Sequence, residues 1–100
     1  MSKFVTTTKP IHPGEVLSQD FMLPLNISAN KLAKHIQVPP NRITSIINGQ
    51  RGITGDTALR LSRAFGTTHY FWLNLQSHYE LECAKDSSVI NFEPILESIA

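Results

Sequence analysis

At 100 residues, 41% of them hydrophobic and 17% charged, the chain has the composition of one globular domain, which excludes a disordered or collagen-like polymer. A single cysteine, Cys83, excludes a disulfide framework and fits a reducing cytosol; no signal-peptide core and no apolar run of the ~18 residues that a membrane span needs is legible, so a cytoplasmic protein without membrane attachment is expected. The net charge of +1 argues against a polyanionic partner, but its distribution reverses that: Lys31, Lys34, Arg42, Arg51, Arg60 and Arg63 face Asp56 alone between Ser28 and Gly66, while the rest of the chain is net acidic.

In chain order, punctuation predicts five helices. The stretch HPGEVLSQDFMLPL places Pro13 in a first helical turn and Glu15 where the helix dipole favours an acid. Val16, Leu17 and Phe21 supply its apolar face, and Pro24 is expected to stop it. NISANKLAKHIQV offers Ser28 as N-cap, with Leu32, Ala33 and Ile36 on one side and Lys31 and Lys34 away from it. In PPNRITSIING, Pro39 and Pro40 stand at a helix start, where a missing N–H costs nothing, and Asn48-Gly49 supplies a left-handed stop. TGDTALRLSRAFG is predicted to be capped by Thr54, to bury Ala58, Leu61, Ala64 and Phe65, and to end at Gly66. The longest pattern, TTHYFWLNLQSHYELECAKD, is capped by Thr67 or Thr68 and turns Trp72, Leu75, Tyr79 and Cys83 inward; Phe71, Leu73 and Leu81 fall off that stripe. The tail VINFEPILESIA is apolar and β-branched, and reads as an arm containing a short strand or helix.

The third pattern carries the functional signal. On a helical wheel Ile46 and Ile47 fall within about 60° of Ile43 and form a buried edge. Asn41, Thr44, Ser45 and Asn48 cluster opposite, an uncharged row of donors and acceptors instead of the Glu/Lys mix of an ordinary solvated helix, with Arg42 on the flank. Amides and hydroxyls hydrogen-bond to base edges in a major groove, and a flanking arginine reaches guanine or phosphate. The preceding helix lies a short turn away, so the pair reads as a helix-turn-helix, with Ala33 the small residue where the two helices approach. Asn41, Arg42, Thr44 and Ser45 are the predicted base readers; Lys31, Asn48, Gln50 and Arg51 are the predicted phosphate contacts.

Three segments carry a resemblance: HPGEVL at His12 to Leu17, VPPNRITSIINGQRGITGDTALRLSRAFGT at Val38 to Thr67, and FWLNLQSHYELE at Phe71 to Glu82. In these the chain resembles the HigA-type, or VapI-type, antitoxins within the lambda-repressor-like (XRE) helix-turn-helix group, over roughly residues 10 to 84. The resemblance implies an all-α, five-helix lambda-repressor-like domain. It also implies a dimeric repressor that binds a palindromic operator in double-stranded DNA at its own promoter and neutralises a cognate toxin, typically an mRNA endonuclease. One position departs from the general pattern: the turn glycine four residues after the small alanine is replaced by Gln37. A positive φ there costs a non-glycine residue ~1 kcal/mol or more.

The expected organisation is an N-terminal arm over 1–11, the helix-turn-helix domain over 12–84 and a tail over 85–100. Leu73, Leu81, Val89, Ile90 and Phe92, with Ile95, Leu96 and Ile99, exceed what so small a monomer buries, and a self-complementary homodimer surface accounts for them, the alternative being a tail packed on its own domain. The arm and the tail are both candidates for the toxin contact.

Other chemistries are poorly supported. GQRGITG follows a helix and lacks both phosphate-loop spacings. His12, His35, His69 and His78 have no metal-ligand spacing, so no cofactor or metal is expected, and His12 more simply orders the start of the first helix. No nucleophile–base pair or paired carboxylates suggest an enzyme. Two alternatives to an antitoxin remain: a stand-alone XRE-type regulator without a toxin, and a protein-interaction module that does not bind DNA.

Overall fold

The first helix begins where His12 turns its ring onto the chain ahead: Nδ1 accepts from the Gly14 N–H at 2.9 Å, and Pro13 occupies the first helical position. In the computed structural model, which describes residues 9–96, this helix, α1, runs through three contiguous stretches, Pro13–Val16, Leu17–Met22 and Leu23–Leu25. The expected stop at Pro24 is not observed. The middle stretch is a π-turn in which the Leu23 N–H reaches back five residues to the Ser18 carbonyl. That wider turn eases the proline ring past the carbonyl four residues behind it, so the helix continues to Asn26, which takes the left-handed conformation at φ 54°.

Helix α2, Ala29–Ile36, is capped by Ser28, whose hydroxyl accepts from the Lys31 N–H at 3.1 Å. It buries Leu32, Ala33 and Ile36 and leaves Lys31 and Lys34 exposed, as the spacing predicts. Gln37 ends it at φ 64°, so the turn does demand the left-handed conformation that a glycine would supply without steric cost. The Val38 N–H then closes back on the Ala33 carbonyl at 3.0 Å. Helix α3, Pro40–Ile47, follows at once and ends at Asn48-Gly49, with Gly49 at φ 77°.

Thr54 caps α4, Gly55–Phe65, which ends at Gly66. Thr68 caps α5, His69–Ser87, by accepting from the Phe71 N–H at 3.1 Å. Among the described residues there are thus five helices and no strand. The core gathers Leu17 and Met22 of α1, Leu32, Ala33 and Ile36 of α2, Ile43 and Ile46 of α3, Ala58 and Leu61 of α4 and Trp72 of α5. Trp72 is fully buried, with its indole N–H donating to the Thr67 hydroxyl at 2.7 Å, and it packs against Phe21, Phe65 and Phe71.

Toward the C-terminus the burial thins. Leu75, Tyr79 and Cys83 are half-buried, completing the expected stripe, whereas Leu81 is exposed. Leu73, expected on a partner-facing surface, packs against the domain's own core. Past Ser88, residues 89–96 form neither the strand nor the helix expected of the arm, and Val89, Ile90, Phe92, Ile95 and Leu96 are all exposed. Most of the predicted N-terminal arm, residues 1–8, and Ile99 lie outside the described residues.

Candidate nucleic-acid interface

Helix α3 divides as its wheel predicts. Ile43 and Ile46 are completely buried and Ile47 half-buried, while Asn41, Thr44 and Asn48 are exposed and Ser45 is half-buried. The Thr44 hydroxyl leans back toward the Pro40 and Asn41 carbonyls at 3.5 and 3.4 Å, long contacts that a better acceptor displaces. The outward face is therefore an uncharged row of amides and hydroxyls on a rigid element. Gln50 and Arg51 follow in a loop folded back on the helix, both N–H groups donating to the Ser45 carbonyl at 2.8 and 3.2 Å. Lys31 is exposed at the start of α2, and Gln50 and Arg51 are exposed too.

Four residues outside the predicted site, Gly14, His12, Gln76 and Asp56, hold this face in place. The first makes a direct backbone contact. A Cβ on Gly14 would stand 1.8 Å from the Ile46 carbonyl oxygen and 2.6 Å from its carbon, so α1 rests its first turn on the last turn of α3 and only a glycine fits between them. A helix-disfavoured glycine inside a first turn was the sequence signal for it. The second is His12. Besides capping α1, its ring meets the Tyr79 ring edge-on at 4.8 Å. Burial lowers the His12 pKa from its ordinary 6.5, with the Arg51 backbone opposing the shift.

The third is Gln76 of α5. Its carbonyl accepts from the Ile53 N–H at 2.8 Å, and its NH2 donates to Glu80 at 2.7 Å. The loop after α3 is thus fastened to α5, with Gly52 set against the amide. The fourth is Asp56. Its Oδ2 accepts from Arg42 Nη1 of α3 at 2.5 Å and from Arg60 Nε at 3.0 Å. These two guanidiniums, Arg42 first, hold the Asp56 carboxyl below its usual range. Arg60 also donates to the Ile36 carbonyl at 2.7 Å, satisfying an acceptor left over at the end of α2.

Arg42, which the wheel puts on the flank of α3, is folded against Asp56 of α4. With Arg51, Thr54, Thr57, Gln76 and Glu80 it lines an open cleft of about 390 Å³ beside α3. Among the described residues no cluster of His, Cys, Asp or Glu could hold a metal ion, and no helix is long and apolar enough to cross a membrane.

Comparison with known proteins places this geometry. The helix-turn-helix family HTH_3 matches residues 19–72. Virulence-associated protein I of Dichelobacter nodosus is 50% identical over 82 residues, 81% of this chain and 76% of that protein. An addiction module antidote protein of the HigA family from Coxiella burnetii superposes with a TM-score of 0.74 at 49% identity, over 84% of this chain and 99% of that one. The Pseudomonas aeruginosa antitoxin HigA, solved with the higBA promoter, superposes with a TM-score of 0.79 at 39% identity, over 88% of this chain and 100% of that one.

Proposed function

The chain belongs to the helix-turn-helix family, in its HigA-type branch, and from that premise we propose that it is the antitoxin of a type II toxin–antitoxin module, a dimeric repressor of its own promoter. The observation that carries the reading is the outward face of α3: Asn41 and Thr44 exposed, Ser45 half-exposed, no charged side chain among them, and Lys31, Gln50 and Arg51 exposed on the flanking segments. The neighbour solved with promoter DNA supports it.

Helix α3 enters the major groove, Asn41, Thr44 and Ser45 read base edges with Arg42 assisting, and Lys31, Asn48, Gln50 and Arg51 hold phosphates that set its register. A homodimer places two such helices about one helical turn, roughly 34 Å, apart, which matches a palindromic operator. The exposed Leu81, Val89, Ile90 and Phe92 form the dimer surface, to which Leu73 contributes little because its own core already covers it. Through a separate surface the protein neutralises a cognate mRNA-endonuclease toxin in the cytoplasm.

Two assays test this. A gel shift at several salt concentrations on the DNA upstream of its own reading frame, against a scrambled duplex, is expected to show tighter operator binding with a steep salt dependence. Equal affinity for the two duplexes contradicts sequence reading. Co-expression with the neighbouring small reading frame is expected to relieve the growth arrest that frame causes alone, and an arrest that persists contradicts the antitoxin role while leaving a stand-alone regulator.

A further inference from the structure

Two guanidiniums share one oxygen of Asp56, and they are not equivalent. Arg60 sits one turn along α4 from Asp56 and is held a second time, through the Ile36 carbonyl at 2.7 Å, so its place does not depend on Arg42. Arg42 comes from α3 and docks on the carboxylate from across the gap between the helices. If Arg42 left, Asp56 would keep Arg60, and with its side chain 54% exposed it would also be hydrated, so the departure strands no buried charge. Such half-exposed ion pairs are weak, whereas a desolvated guanidinium on the O6 and N7 of guanine is strong and geometrically selective.

Non-operator DNA offers a different exchange. There a basic protein is held by phosphates in many loose registers, with affinity set by how many cations displace counterions. An arginine already neutralised by a carboxylate adds little to that count. Resting on the reading of α3 as the groove-binding helix, we propose that Asp56 is a specificity-determining residue that withholds Arg42 from non-operator DNA and yields it only where α3 is fully seated in the operator. The carboxylate acts as an internal competitor for one arginine, while the exposed Arg51 meets phosphate on any sequence.

The test measures affinity against salt for the wild type and variants on operator and scrambled duplexes. Arg42→Gln is expected to weaken operator binding by about tenfold or more and to leave the scrambled affinity and its salt slope at wild-type values. Asp56→Asn is expected to tighten scrambled binding several-fold and to steepen its slope by about 0.9, the equivalent of one phosphate. Combining Arg42→Gln with Asp56→Asn returns scrambled binding to the wild-type line. A scrambled slope unmoved by Asp56→Asn in a folded variant, or equal losses on both duplexes from Arg42→Gln, overturns the proposal. Circular dichroism checks folding; should Asp56→Asn not fold, the Arg42→Gln pair of measurements decides alone. A wild type that fails to discriminate the duplexes overturns the DNA-reading assignment itself, whereas a discriminating wild type with unresponsive variants overturns only the role of Asp56.

Discussion

At the scale of single residues, the interface depends on side chains that do not face DNA. Gly14 is the sharpest case, because any Cβ there overlaps the Ile46 carbonyl, which is backbone and cannot rotate away. Gly14→Ala is expected to cost about 1–3 kcal/mol, as overpacking does, visible as a lowered Tm, and to weaken operator binding by displacing the end of α3. An unchanged Tm contradicts the contact. His12 adds a pH dependence. Its Nδ1 accepts from the Gly14 N–H, which requires that nitrogen unprotonated, and burial lowers its pKa below 6.5. The sign follows: the stability tied to neutral His12 is intact above pH 6.5 and is lost as pH falls through the lowered folded-state pKa. His12→Asn, which keeps a cap without titrating, is expected to flatten the acid side of a Tm-against-pH curve relative to wild type. Parallel curves contradict it.

At the scale of elements, the sequence was informative wherever a signal was local. Ser28, Thr54, Thr68, Gly49 and Gly66 marked helix ends because caps and left-handed stops act within a few residues, and the isoleucine edge of α3 followed from its period. The π-turn in α1 was missed because Pro24 alone signals a stop and only the widened turn behind it shows otherwise. Gln76 with Ile53 and Asp56 with Arg42 were illegible for one shared reason: each joins two different elements, and a helical period says nothing of pairing between elements, just as the odd glycine at position 14 marks a close approach without naming Ile46 as its partner. Arg42 shows the consequence, since a wheel gives its direction but not its acceptor. The turn between α2 and α3 offers a test at this scale. With Gln37 at φ 64°, Gln37→Gly is expected to raise stability by up to about 1 kcal/mol in chemical denaturation; a loss of stability would mean that the glutamine side chain supplies more than the backbone penalty removes.

At the scale of the molecule, a core built by all five helices ends partway along α5, and beyond it Leu81, Val89, Ile90, Phe92, Ile95 and Leu96 are presented to solvent. In the proposed reading these residues supply the homodimer surface. The described residues past Ser88 are all exposed, so on ending the chain at Ser88 the helical content and thermal unfolding of the domain are expected to stay as they are. Sedimentation is expected to shift from dimer toward monomer, and operator affinity to fall, because two half-sites are then bound without linkage. A truncated chain that still sediments as a dimer assigns the interface to α5 instead.

The central claim, that α3 offers its amides and hydroxyls to base edges while the loop after it holds phosphate, is tested most directly by comparing Asn41→Ala with Arg51→Ala on operator and scrambled duplexes over a range of salt. Asn41→Ala is expected to cost about 1–3 kcal/mol on the operator, to leave scrambled binding nearly unchanged and to keep the salt slope. Arg51→Ala is expected to weaken both duplexes alike and to flatten the slope by about one phosphate. If instead both substitutions reduce the two affinities by the same factor, α3 is not the reading element.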